Sequence, residues 1–368
     1  MSRINRLFIS RWGPVLTGIA IGILAPLLVY WGNPGNMGVC VACFTRDMAG
    51  ALGLHRAAAV QYMRPEIIGF VFGALGASLA YKEFRPRSGS APLLRFFLGM
   101  FSIIGALVFL GCPWRAYLRL AGGDWSAIAG LLGLVVGVVI GVVFLKRGYS
   151  LGRTHPAPQA VGWIMPALMG LLLFFLLAAP QFGRDANGDP TGPIFFSTAG
   201  PGALAAPIAI ALGVGLLIGF LAQRSRFCTV GAIRDVILMR DSHLLNGVVA
   251  LVVAAALTNL VLGQFRSGFT DQPVAHGNAL WNAAGMALSG LAFTLAGGCP
   301  GRQVFMSGEG DADAGMFVIG MLVGAGLSHN LNLASSPAGP TPYGPIAVGI
   351  GLAFCVIIGL TMREQVTA

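Results

Sequence analysis

Charge is the scarcest ingredient of this 368-residue chain: Asp, Glu, Lys and Arg together make up 10% of it. A water-soluble domain carries roughly 25%, so the chain lacks the polar residues to cover a surface in water. Lysine is nearly missing, with Lys82 and Lys146 set against 21 arginines. The formal charge of +10 comes without the lysine-rich, aromatic-interleaved clusters of a nucleic-acid surface, which excludes nucleic acid as a partner. Also lacking are a phosphate-binding Gly-rich loop with Lys, a Ser-His-Asp set and an ATPase motif. No enzyme activity and no cofactor is expected, and concentrative uptake would draw on gradients or downstream trapping. What is abundant is apolar: 56% hydrophobic residues, 54 glycines and a mean hydropathy of +0.78. Lipid is the solvent such a composition fits.

A membrane crossing needs about 20 mainly apolar residues. Ten stretches qualify, at about 13–31, 65–81, 94–111, 125–145, 161–180, 204–221, 244–263, 279–297, 314–330 and 343–361. The first is too long, and too far from a small-residue cleavage site, for a removable signal peptide. Glycines four apart, as at Gly18 and Gly22 or Gly133, Gly137 and Gly141, predict closely packed helices. With the N-terminus inside, cytoplasmic loops hold 16 Lys and Arg, Arg3 and Arg6 among them, against 7 outside, including Arg184. That bias predicts cytoplasmic N- and C-termini in an inner membrane.

The chain repeats itself. Cys40 to Asp47 reads C-x5-R-D, as does Cys228 to Asp235, and Gly111-Cys112-Pro113-Trp114-Arg115 shares G-C-P-x-R with Gly298-Cys299-Pro300-Gly301-Arg302. An Asp follows each of the latter arginines by nine residues, at Asp124 and Asp311. The two motif pairs are offset by 188 and 187 residues, which predicts two repeats, 1–187 and 188–368, within one membrane domain. Five crossings per repeat make the second repeat inverted, with its site at the midplane. Short stretches at about 43–53, 114–121, 229–240 and 301–307 read as re-entrant half-helices lining a cavity.

Cys40, Cys112, Cys228 and Cys299 each open a half-helix, where backbone N–H groups and the helix dipole attract an anion. Arg46, Arg115, Arg234 and Arg302 follow within six residues and add fixed positive charge. Thiols suit a soft, polarisable solute carrying sulfur or selenium better than a hard oxyanion. The eight residues are the expected substrate-binding set. Asp47 and Asp235, with Asp124 and Asp311, are expected to form structural ion pairs; Arg46-Asp47 and Arg234-Asp235 could equally contact solute. Cys43, in C-x-x-C with Cys40, is an accessory or redox candidate, and no zinc-type ligand set completes it, so no metal is expected. Cys355, without a repeat partner, reads as apolar filler. His55, His243, His276 and His329 serve as proton relays or as ordinary interface residues. Trp31, Trp114, Trp125, Trp163 and Trp281 fall near expected interfaces and read as anchors.

On these motifs, the two C-x5-R-D and two G-C-P-x-R segments with their Gly-rich spans, nearly the whole chain resembles the YeeE/YedE sulfur transport family. The runs from Gly35 to Glu66 and from Gln223 to Asp235 resemble more closely its YedE-like branch associated with selenium metabolism. The resemblance implies an all-α polytopic importer in which inverted repeats form an hourglass whose waist is lined with cysteines. Those would be Cys40, Cys112, Cys228 and Cys299 here, one more than a three-cysteine pathway uses. A selenium species is then the favoured solute and thiosulfate the alternative. A cytoplasmic sulfur or selenium carrier protein is an expected partner besides the anion and the bilayer. An integral membrane thiol enzyme or sulfur-trafficking module built on Cys40 and Cys43 is the competing class, and a passive anion pore a third.

Overall fold

The computed structural model describes residue 8 and residues 10–178, 185–187 and 191–363. Arg3, Arg6 and Arg184 of the charge count lie outside these residues, as does residue 188, the expected start of the second repeat. The described residues form an all-α polytopic structure. The helices that correspond to expected crossings are α1 (Trp12–Tyr30), α3 (Pro65–Ala80), α4 (Pro92–Phe109), α6 (Ala127–Lys146), α7 (Gln159–Ala178), α8 (Ile208–Ser225), α10 (His243–Val261), α11 (Ala279–Leu295), α13 (Ala312–Asn330) and α14 (Gly344–Thr361). Between them lie four short helices, α2 (Val41–Ala51), α5 (Pro113–Ala121), α9 (Thr229–Met239) and α12 (Pro300–Gly308). Nine segments among the described residues are long and apolar enough to cross a membrane. The tenth, α3, is apolar but has 16 residues, about 24 Å at 1.5 Å per residue.

The expected helix limits hold within about two residues except at α8, which is displaced by four. Pro207 caps this helix and disfavours helical geometry in the residue before it, so the apolar run 203–206 stays a loop. Arg64 donates to the carbonyl oxygen of Leu204 at 2.9 Å and holds that loop. At the other end α8 continues through Gln223, Arg224 and Ser225, whose polar side chains are buried among partners and not in lipid.

A two-stranded antiparallel ribbon, β1 (Arg87–Ser88) with β2 (His155–Pro156), was not expected and ties together two loops on one face of the bundle. The long helices pack in four broad pairs: α6 on α11, α4 on α13, α3 on α8 and α1 on α10. Glycine makes these approaches. A Cβ at Gly18 would overlap the carbonyl oxygen of Gly247, and one at Gly133 that of Ala283. Outward-facing Leu132 and Val136 on α6, Phe174 on α7, Leu257 on α10 and Ile346 on α14 are exposed, as side chains solvated by lipid are.

The sign of a Gly→Ala change distinguishes contact from propensity. In a helix with free space, alanine gains up to about 1 kcal/mol over glycine. Gly213→Ala in α8, where the new methyl meets nothing within 4 Å, is therefore expected to be neutral or stabilising. Gly18→Ala is expected to destabilise by about 1–3 kcal/mol, because the backbones must separate. Thermal unfolding of the two detergent-purified variants measures both.

Candidate functional site

Each short helix begins at a cysteine. Cys40, Cys112, Cys228 and Cys299 are the N-cap residues of α2, α5, α9 and α12, all with extended backbone. Pro113 and Pro300 occupy the first helical position, where a missing N–H costs nothing and the fixed φ suits the turn. Leu110, directly before the first G-C-P-x-R copy, ends α4 in a left-handed conformation, φ 62°, which turns the chain back into the protein.

Three of the four thiols act as caps. Cys43 N–H donates to Cys40 Sγ at 3.3 Å, Gly231 N–H to Cys228 Sγ at 3.2 Å and Arg302 N–H to Cys299 Sγ at 3.4 Å. Serine or aspartate would cap more strongly. The thiols also meet in two pairs. Cys40 Sγ lies 3.8 Å from Cys112 Sγ, and Cys299 N–H donates to Cys228 Sγ at 3.3 Å. All six cysteines are free and buried. Cys43 adjoins Cys40 and has further partners of its own: Arg115 Nη1 donates to its Sγ at 3.7 Å, and the thiol reaches the Leu110 carbonyl at 3.9 Å. Cys355 is buried in α14. Among the described residues no group of three or more His, Cys, Asp and Glu is placed to hold a metal ion.

The arginines are committed to protein partners. Arg46 donates to Asp47 at 2.6 and 2.9 Å, and the other oxygen of Asp47 accepts from Arg64 at 2.7 and 2.8 Å. Arg234 pairs with Asp235 at 2.8 Å, with the arginine side chain partly exposed where the first copy is buried. Arg115 donates to the carbonyls of Leu110, Pro273 and Val274. Arg302 reaches Glu309 at 3.0 Å. Asp124 is held by Arg119 at 2.6 Å and Asp311 by Arg87 at 2.7 Å, so neither pairs with the arginine nine residues before it.

Glu309 and Glu83 had no place in the sequence motifs, yet they organise one face. Glu309 binds Arg302 and Arg226, each at 3.0 Å; Glu83 binds Arg226 at 2.8 Å and Arg224 at 2.9 Å. Partial burial alone would raise the Glu83 carboxyl, but the hydrogen bonds from Arg224 and Gln223 and the charges of Arg226 and Arg224 lower it below the usual range. A pocket of about 420 Å³ opens here, lined by residues including Glu83, Arg224, Arg226, Asp235 and His243. At the opposite face His55 packs at a tilt against His329 with ring centroids 4.4 Å apart, and His276 Nε2–H donates to the Val108 carbonyl at 2.8 Å.

Trp114 is no interface anchor. Its side chain is fully buried against Phe70, Phe227 and Phe305, whereas Trp31 and Trp163 are exposed as anchors are. The sequence did carry a signal: G-C-P-x-R has Trp at x in one copy and Gly in the other.

Residues 224–362 match the family described as Sulphur transport. Over 97 residues, 26% of this chain, it is 33% identical to the thiosulfate transporter TsuA of Spirochaeta thermophila and 30% identical to the thiosulfate transporter TsuA of Escherichia coli. The aligned stretch covers 29% of the first relative and 27% of the second, under a third of either length. The stretch that is similar to the sulphur transport family, residues 224–362, carries Cys228, Cys299, Arg302 and Glu309.

Proposed function

We propose that the protein imports thiosulfate across a bacterial inner membrane, passing the anion between two pairs of buried thiols without a chemical step. The observation that carries this reading is the pairing itself. Cys40 meets Cys112 and Cys228 meets Cys299, each at the N-terminus of a short helix. Thiosulfate carries a terminal sulfur, soft enough for S–H contacts, and oxygens that N–H donors and nearby positive charge stabilise. The names of the two partial relatives support thiosulfate over the selenium species that the branch resemblance favoured.

Two inverted halves, 1–187 and 188–368, form the transporter in this reading. The support is the nearly equal motif offset together with the helix pairs: α1 on α10 answers α8 on α3, and α4 on α13 answers α11 on α6. The face bearing Glu83 and Glu309 is cytoplasmic. Arg46, Arg115, Arg234 and Arg302 hold the loops through their own partners and leave a positive potential beside the thiols.

Uptake into proteoliposomes, with labelled thiosulfate and competing sulfate, sulfite and selenite, tests the reading. Thiosulfate should enter and sulfate should compete poorly. If sulfate entered equally well and no Cys→Ser change mattered, the reading would be lost. Cys43→Ser separates transport from redox chemistry: uptake is expected to stay within about threefold of wild type, roughly 0.6 kcal/mol, whereas a Cys40–Cys43 redox enzyme would be inactivated.

A further inference from the structure

The two copies of G-C-P-x-R differ at Trp114 and Gly301, and the fold brings these unlike residues into contact. The indole lies edge-on against the glycine, so that a Cβ at Gly301 would come within 2.9 Å of Cζ2, 3.0 Å of Cε2 and 3.1 Å of Nε1. The Trp114 side chain is wholly buried, yet its Nε1–H has no hydrogen-bond partner. Indole N–H groups taken out of solvent ordinarily find an acceptor, and in a membrane interior water is scarce.

A second free donor adjoins it. In the first turn of α12, Pro300 has no N–H, Arg302 N–H is bonded to Cys299 Sγ at 3.4 Å, and Gln303 N–H to the Cys299 carbonyl at 3.1 Å. Among the described residues this leaves the Gly301 N–H without an acceptor, at a helix N-terminus. Two unpartnered donors therefore share one place, beside the Cys299 thiol and facing a residue that directly follows Cys112 and Pro113. The rings of Phe70, Phe227 and Phe305 that enclose the indole offer no oxygen acceptor. An acceptor-only group of oxygens is what such a pair fits.

We propose that the indole N–H of Trp114 and the backbone N–H of Gly301 form an oxyanion seat for the transported solute, where the short helices of Cys112 and Cys299 meet. The proposal rests on the thiosulfate reading and assigns the two ends of that anion: thiols take the terminal sulfur, and the Trp114–Gly301 seat takes the sulfonate oxygens. Glycine is required at 301 because any side chain would displace the indole. Tryptophan is required at 114 because phenylalanine keeps the ring and loses the donor.

The test uses the full-length protein in proteoliposomes and in detergent, with sodium thiosulfate as the probe. Trp114→Phe is expected to raise KM for thiosulfate at least tenfold, and Gly301→Ala to do the same. Thiosulfate is expected to shift the tryptophan emission of wild type and to leave that of Trp114→Phe unmoved, a response that a purely structural indole would not give. A Trp114→Phe protein with wild-type KM and an unchanged emission response overturns the seat while leaving thiosulfate transport intact. If Trp114→Phe does not fold, Gly301→Ala and the wild-type emission decide: unchanged KM and no emission shift overturn the seat. A wild-type protein that moves no thiosulfate defeats the underlying reading instead.

Discussion

Replacing Cys299 by serine is expected to cut thiosulfate uptake by about 100-fold, roughly 2.7 kcal/mol at the rate-limiting barrier, while leaving the fold intact. The two effects separate because serine is the better helix cap. Cys299 Sγ accepts the Arg302 N–H at 3.4 Å at the start of α12, and a hydroxyl oxygen accepts that bond at least as well. Stability should therefore be unchanged or slightly higher. What serine cannot supply is a large, polarisable sulfur for a soft anion. The neighbouring thiol keeps its place, since the backbone N–H of residue 299 that bonds Cys228 Sγ at 3.3 Å is retained in the variant. Cys355→Ala is the control: that thiol is buried in α14 away from both pairs, and its loss should leave uptake within about twofold. Uptake of labelled thiosulfate and thermal unfolding of the same preparations measure the two quantities. Equal uptake by wild type and Cys299→Ser would remove the thiols from the pathway.

The cysteine helices were legible in the sequence because their signals are local. At two of the four a Cys-Pro step ends one helix and starts the next, and at all four a run of about ten residues is too short to cross. Close helix contacts were legible too, since only glycine admits a carbonyl oxygen where Gly247 meets Gly18. Partners of the charges were not. Asp311 has Arg302 nine residues before it, yet Arg87, 224 residues away, binds it; Glu309 takes Arg302 and Arg226 instead. Such pairings depend on which loops the packed helices bring to one face, and spacing along the chain carries no record of that. Tryptophan near a span end has the same ambiguity, because ring chemistry serves both a lipid headgroup and a buried aromatic cluster. Only the Trp-for-Gly difference between the motif copies set Trp114 apart.

The same blindness extends to energetics, and it makes the two C-x5-R-D copies a test. Asp47→Ala is expected to destabilise the protein by about 3–5 kcal/mol, the range for stripping one partner from a buried ion pair. Asp47 is fully buried and holds two guanidinium groups, Arg46 on one oxygen and Arg64 on the other. Arg64 is itself enclosed between the rings of Phe44 and Tyr62, at 4.5 and 4.9 Å from their centroids, and donates to the carbonyls of Pro201 and Leu204. One carboxylate thus ties α2 to the start of α3 and to the loop before α8. Removing it leaves both cations in a medium that cannot solvate them. Asp235→Ala, the identical change in the second copy, meets a different setting: the Arg234 side chain is 28% exposed and turns to water when its partner goes. Asp235 itself is only 12% exposed at its side chain, so the cost is expected to lie between those of an exposed and a buried pair, about 1–2 kcal/mol. Detergent unfolding of the two variants side by side gives the comparison. Equal losses would mean that the motif, and not its burial, sets the strength of the pair. A large loss confined to Asp47→Ala would make that copy the anchor of its half of the bundle and leave the Arg234 copy free to move.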